Sequence, residues 1–316
     1  MRLLMIAPEI ESLSQARSFS GVWSWYLSRE FRDRGIELMF DDPLYATNLS
    51  PAKMVRHYQR MNLRGIDHVL AIGTRYFERV HPDCGAVLKS RCRGVVAQLH
   101  DNGRGSMSCD LTFTLRRSKL NDRNHYVGWA ADFDILTPKQ EHGELRILID
   151  HPDYSFVRKK DRSVDLVRQC LEFQRSGSWR DRYDSVRVRR LVDGGVEDVT
   201  TADVPPYERN SIPFVDVCEE YSKTHLFVVT HPESVGMSVI ETAAAGALPL
   251  VPEGFIHKDR LATVRRLTFD QDIPWVDAMR EIDVSASREK ASDNSWYFVA
   301  ERMMETFRKF RKRKTH

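Results

Sequence analysis

Two carboxylates, Glu233 and Glu241, have seven residues between them across the start of a helix in the segment HLFVVTHPESVGMSVIETAAAGALPLV, from His225 to Val251. Leu226 to Val229 is a short apolar run rich in β-branched residues, of the kind that fills a buried parallel strand. His231-Pro232-Glu233-Ser234 breaks that run. The helix is predicted to begin near Gly236, with Ser234 as its cap, and to continue to Gly246. A helix N-terminus offers unpaired N–H groups and the positive end of a dipole, which suits a phosphate. A carboxylate one turn further in suits sugar hydroxyls. A glycine at the helix start lets the backbone approach a diphosphate that a side chain would hold off.

The run resembles the E-x7-E signature of retaining glycosyltransferases of the GT-B fold, H-P-S-x-x-E-S-F-G-x-x-x-x-E-A-x-A-x-G-x-P. Glu233, Gly236, Glu241 and Gly246 fall on its marked positions, while Thr242 replaces the usual Ala and one more residue separates Gly246 from Pro249. The resemblance implies that Glu233 binds donor-sugar hydroxyls and Glu241 the ribose hydroxyls, with the Gly236, Met237 and Ser238 backbone on the phosphates. In this family an Arg and a Lys follow the first strand of the C-terminal domain. Here that strand leads into Asp150-His151-Pro152-Asp153-Tyr154-Ser155 with no Gly-Arg pair, so the cluster Arg158, Lys159 and Lys160 is the expected cationic partner of the phosphates.

His100 follows an apolar strand in QLHDNGRG, at the strand end where doubly wound sheets take ligands, with Asp101 and Arg104 beside it. The family carries a donor-contacting histidine at a comparable point. A glycine-rich turn near the donor is matched here only by Ser20 and Gly21. No H-x-x-H or H-E-x-x-H spacing is present, no D-x-D metal motif stands out, and no G-x-G-x-x-G follows the first strand. The expectation is therefore no metal and no cofactor beyond a nucleotide-sugar donor substrate.

These groups must be positioned by a strand–helix alternation. Leu3 to Ala7 reads as a buried strand, Gly21 to Arg34 as a helix closed by Gly35, and Ile36 to Phe40 as a second strand. Val69 to Ile72, Gly94 to Leu99, Leu111 to Leu115 and His125 to Gly128 continue the series. The polar, turn-rich stretch from Trp129 to Gly143 is the expected crossing between domains. A second series begins with Leu145 to Ile149, then a helix at Ser163 to Phe173, a strand at Ser185 to Leu191 and a helix at Val215 to Tyr221. Asn294 to Lys309 is a last amphipathic helix with Trp296, Val299, Met303 and Phe307 on one stripe. The fold class is thus α/β, and the resemblance implies GT-B architecture: two Rossmann-like doubly wound domains facing a central cleft. The expected division is 1–142, 143–293, and a terminal helix at 294–316 that crosses back to the first domain.

At 316 residues, with 41% hydrophobic residues and six tryptophans, the chain can bury two ordinary cores. No run approaches the ~20 apolar residues of a membrane span, and the opening MRLLMIAP has too short an apolar run for a signal peptide. Five cysteines without C-x-x-C spacing indicate neither a disulfide framework nor a zinc site, so the expected location is the cytoplasm. The net charge of +3 hides a basic end, RKFRKRK from Arg308 to Lys314, whose unopposed cations suit the cytoplasmic face of an anionic membrane or a nucleic acid.

The function these features imply is retaining transfer of a sugar from a nucleotide-sugar donor to an acceptor hydroxyl: a glycan, a lipid-linked glycan or modified DNA. A weakened GT-B module that binds a nucleotide sugar without transfer is the alternative that the missing Gly-Arg favours. A glycoside hydrolase using Glu233 and Glu241 as its pair would need them flanking a bond at fixed separation, and the repeated strand–helix layout argues against it.

Overall fold

A computed structural model describes residues 1–16, 19–41, 50–72, 82–100, 108–115, 124–149, 162–192, 194–202, 212–232, 236–256 and 261–314; for 19, 51, 82, 100 and 311–314 it describes the backbone alone. The chain forms two compact units: residues 1–129 with 296–316, and residues 130–295.

In the first unit, β1 (Arg2–Ile6), α1 (Phe19–Asp33), β2 (Glu37–Asp41), α2 (Pro51–Arg60), β3 (His68–Ile72), α3 (Pro82–Arg91), β4 (Val96–His100), β5 (Leu111–Thr114) and β6 (Asn124–Tyr126) alternate along the chain. Their strands form one parallel sheet in the order β2-β1-β3-β4-β5-β6. Both faces of such a sheet are covered, so β1 and β3 read as continuous apolar runs, and Leu3, Leu4, Met5, Val69, Leu70 and Ala71 are wholly buried. Gly35, at φ +70°, closes α1: its N–H donates to the Arg32 carbonyl at 2.8 Å and that of Ile36 to Phe31 at 3.0 Å, the paired pattern of a left-handed helix stop. The helix starts two residues earlier than the sequence reading placed it, so Ser20 and Gly21 lie inside its first turn rather than in a preceding loop.

The second unit contains β7 (Glu144–Ile149), α4 (Ser163–Ser176), β8 (Ser185–Val192), β9 (Gly195–Asp198), α5 (Phe214–Lys223), β10 (Leu226–Val228), α6 (Met237–Ala244), β11 (Leu248–Pro252), β12 (Leu267–Phe269), α7 (Trp275–Arg280) and α8 (Val284–Ala291). Its sheet runs β12-β11-β10-β7-β8-β9, parallel except for β9, which turns back on β8. Leu145, Ile147, Leu166, Cys170, Leu226, Val228, Leu248 and Leu250 share its core.

The last helix, α9 (Trp296–Lys314), belongs to the first unit. Trp296, Val299, Met303 and Phe307 form its buried stripe. Trp296 meets the Trp23 ring edge-on at 4.7 Å and stacks on Tyr26 at 4.5 Å; Phe307 stacks on His68 at 4.8 Å. Each such side chain contributes about 1.5–3 kcal/mol by leaving water, so the helix is part of the core and not an appendage. It begins at Trp296 because Asn294 is held in the preceding turn by Thr263 and the Ala291 carbonyl. Within the basic end, Lys309 is opposed by Glu305 at 2.9 Å, which corrects the reading of that run as unopposed. Among the described residues no helix is long and apolar enough to cross a membrane.

Candidate functional site

Strands β7 and β10 are neighbours, with Ile147 beside Leu226 and Ile149 beside Val228. In chain order the sheet reads 3-2-1-4-5-6, and it reverses direction between these two strands. Open α/β sheets bind ligands outside the carboxyl ends of the strands at such a switch point, because the loops there diverge and leave a crevice. The segment 150–161 leaves from the end of β7 and the segment 229–236 from the end of β10. Arg162, where the first segment returns, donates its backbone N–H to the Thr230 carbonyl at 3.1 Å.

Helix α6 starts in this region. Gly236 sits at φ +69°, ψ 40°, a left-handed conformation that L side chains rarely adopt, and a Cβ there would meet the Ile256 side chain at 3.2 Å. It turns the backbone sharply into the helix and adds no side chain to cap it. Met237, Ser238 and Val239 are the first helical residues, whose N–H groups precede the first full intrahelical bond, from Ile240 to Gly236 at 3.4 Å. Ser238 is 1% exposed and its Oγ has no hydrogen-bond partner among the described residues. The other end of the helix is fixed by Arg288, whose guanidinium donates to the Ala244 carbonyl at 2.5 Å and also to Leu136 and Phe133. A cation there also complements the negative end of the helix dipole.

Glu241 lies one turn in, buried at 3% exposure. It is close enough to Cys218 of the neighbouring α5 that, after burial itself, its charge is the main cause raising that thiol well above the ordinary range; Asp132 adds to the effect. Asp132 is itself held by a turn, its Oδ1 accepting from the Asp134 and Ile135 N–H groups at 2.9 and 3.3 Å. The sequence reading had placed Asp132 in the crossing segment and gave Cys218 no role. Their proximity to Glu241 depends on packing between separate elements, with Asp132 about a hundred residues away, and carries no local signal.

The structure thus groups Gly236, Met237, Ser238 and Glu241 on one helix of the second unit. Ser20 and Gly21 are buried in the first turn of α1 in the first unit, and the His100 backbone ends β4 beside Thr114. Glu233, Ser234, Arg158, Lys159 and Lys160 lie outside the described residues, as do Asp101 and Arg104. His225, which begins β10's segment, is a structural histidine: its Nδ1 accepts the Arg146 N–H at 3.1 Å, and burial, aided by the Arg146 cation, lowers its pKa to about 4.

No protein-family model matches the chain, and no curated protein sequence matches it. Solved structures do. Sucrose-phosphate synthase from Thermosynechococcus elongatus is 12% identical, with 98% of each chain covered and a TM-score of 0.57. HepE from Anabaena, solved in complex with UDP and glucose, is 10% identical over 96% of this chain and 98% of that one, with a TM-score of 0.56. MnaA from S. aureus, solved with UDP, is 11% identical over 96% and 94%, with a TM-score of 0.51. At these identities the likeness carries the fold alone, and the fold is GT-B: two α/β units, each built on a six-stranded, mostly parallel sheet.

Proposed function

We propose that the protein is a metal-independent retaining glycosyltransferase that moves a sugar from a nucleotide-sugar donor to an acceptor hydroxyl. The observation that carries this reading is the start of α6 at the β7/β10 switch point, where a left-handed Gly236, the first-turn N–H groups and the buried Glu241 come together within about one helical turn. In such a transfer, charge develops chiefly on the departing diphosphate, and preorganised dipoles aimed at it lower the barrier most. The N–H groups of Met237 and Ser238 would hold that diphosphate, with Glu241 on the ribose hydroxyls and Glu233 on the donor sugar. Arg158, Lys159 and Lys160, in the segment that leaves β7, would add the positive charge. The UDP in the HepE and MnaA structures is consistent with a nucleotide partner for this fold.

A second reading, a GT-B module that binds a nucleotide sugar without transfer, is favoured by the absence of a Gly-Arg pair after β7. Single-turnover release of nucleoside diphosphate from a panel of nucleotide sugars separates the two. Release with retained anomeric configuration in the product supports transfer. Tight donor binding with no release under any acceptor tried rejects it.

A further inference from the structure

Helix α2, in the first unit, carries a concentration of charge that the nucleotide-sugar reading does not use. Lys53, Arg56, His57 and Arg60 follow the spacing i, i+3, i+4, i+7 and so share one face, while Met54 and Tyr58 on the opposite face are buried in the core. A cavity of about 510 Å³ opens on the cationic face, lined among the described residues by Lys53, Arg56, His57, Arg60 and Met61.

Among the described residues Lys53, Arg56 and Arg60 have no acidic partner, and the Arg56 guanidinium donates only to the Ala52 carbonyl, at 3.3 Å. From Pro43 to Ile66 the sequence contains no Asp or Glu. Several arginines elsewhere are paired with carboxylates: Arg34 with Glu30 and Glu301, Arg187 with Asp198, Arg189 with Glu220, Arg190 with Glu197. Like charges at these helical spacings repel, so the arrangement disfavours the folded state unless an anion is present. His57 connects the cavity to the sheet, its Nε2 lying 3.0 and 3.1 Å from the two carboxylate oxygens of Asp41, the last residue of β2. That places the cavity by the carboxyl edge of the sheet, the edge at which such sheets take ligands.

We propose that this cavity binds a small phosphate-bearing ligand, through Lys53, Arg56 and Arg60. Guanidinium forks match phosphate oxygens bidentately, and an ammonium adds a point charge. Lys53 to Arg60 spans about 10 Å of helix, the reach of one or two phosphates rather than of a long polyanion. The apolar residues of α2 are consumed by the core, so the face has nothing to insert into a bilayer. The binding does not depend on the transferase reading.

Calorimetric titration at low salt tests this with inorganic phosphate, glucose 6-phosphate and glucose as probes, on the wild type and on Arg56→Ala/Arg60→Ala. Both arginines are exposed, and thermal unfolding checks that the variant is folded. The expected result is binding of both phosphate probes but not of glucose, weakened about tenfold or more in the variant, and restored in part by Arg56→Lys/Arg60→Lys. Equal affinity in wild type and variant, or no binding of either phosphate probe, overturns the proposal. Retention on a DNA duplex or on phosphatidylglycerol vesicles that depends on these arginines, without binding of the small probes, overturns it in favour of polyanion docking. UDP titrated in parallel keeps the two readings apart. Arginine-dependent phosphate binding without UDP binding leaves the cavity standing and the transferase reading fallen; the reverse pattern overturns the cavity alone.

Discussion

The backbone N–H of Arg162 reaches the carbonyl of Thr230 at 3.1 Å, joining the returning end of one loop segment to the start of another across two adjacent strands. Those segments carry the groups that the sequence singles out for chemistry: Arg158, Lys159 and Lys160 before Arg162, and Glu233 after Thr230. The Arg162 side chain adds a bond to the Asp270 carbonyl at 2.6 Å and another to Gln271, so the junction is anchored on two sides. Residues more than sixty apart in sequence are thereby tied to one edge of one sheet.

Gly236→Ala is predicted to destabilise the protein by about 1–2 kcal/mol, the usual penalty of a left-handed conformation for a residue with a Cβ, with a further contribution from the Ile256 contact at 3.2 Å. Urea unfolding measures the stability change. Nucleoside diphosphate affinity should fall as well, because the N–H groups of Met237 and Ser238 are aimed by this turn.

Ser238→Ala separates binding from folding. Its hydroxyl is buried without a partner among the described residues, so removing it relieves a cost of about 1 kcal/mol or more and should leave stability unchanged or raised. If the hydroxyl meets a ligand oxygen, the same change should weaken nucleoside diphosphate binding several-fold. A loss of stability with unaltered binding would assign the residue to packing.

His225 gives the protein a pH dependence with a definite sign. Its folded pKa is lowered to about 4 from an ordinary 6.5, chiefly by burial. Between those values the unfolded chain binds the proton more readily. The contribution is therefore fully present above about pH 6.5 and is lost progressively as the pH falls toward 4, by roughly 3 kcal/mol at most. Urea unfolding across pH 4 to 8 should show this slope, and His225→Asn, which keeps an acceptor for the Arg146 N–H, should flatten it.

Activity is predicted to survive excess EDTA. In the proposed site the positive field comes from the start of α6 and the Arg158 to Lys160 segment, and neither needs a divalent ion. Loss of activity with EDTA, restored by manganese, would reject that assignment.

Much of the fold was legible because doubly wound sheets bury their strands on both faces. Runs such as Leu3–Ala7 and Val69–Ile72 are therefore apolar throughout, and the α9 stripe has clean helical spacing. Helix α2 was not read: its apolar contribution rests on Met54, Val55 and Tyr58, and its cationic face dominates the segment. Strand β9 escaped because it turns back at Gly194-Gly195 within a charged stretch, and β12, α7 and α8 are too short for periodicity to emerge. At the candidate site, the glycine turn and the position of Glu241 follow from local pattern. The burial of Glu241 beside Cys218 and Asp132 does not, since it arises when α5 packs on α6 and the crossing segment folds over both.

The most direct test of the nucleotide-sugar site is titration of nucleoside diphosphates, UDP first with ADP and GDP beside it, into the wild type and Glu241→Ala. A charged hydrogen bond to the ribose hydroxyls is worth about 1.5–3 kcal/mol. The variant should therefore bind the preferred nucleotide roughly ten- to a hundredfold more weakly while remaining folded. Unchanged affinity in Glu241→Ala, or no binding of any nucleoside diphosphate by the wild type, would contradict the site and the transferase built on it.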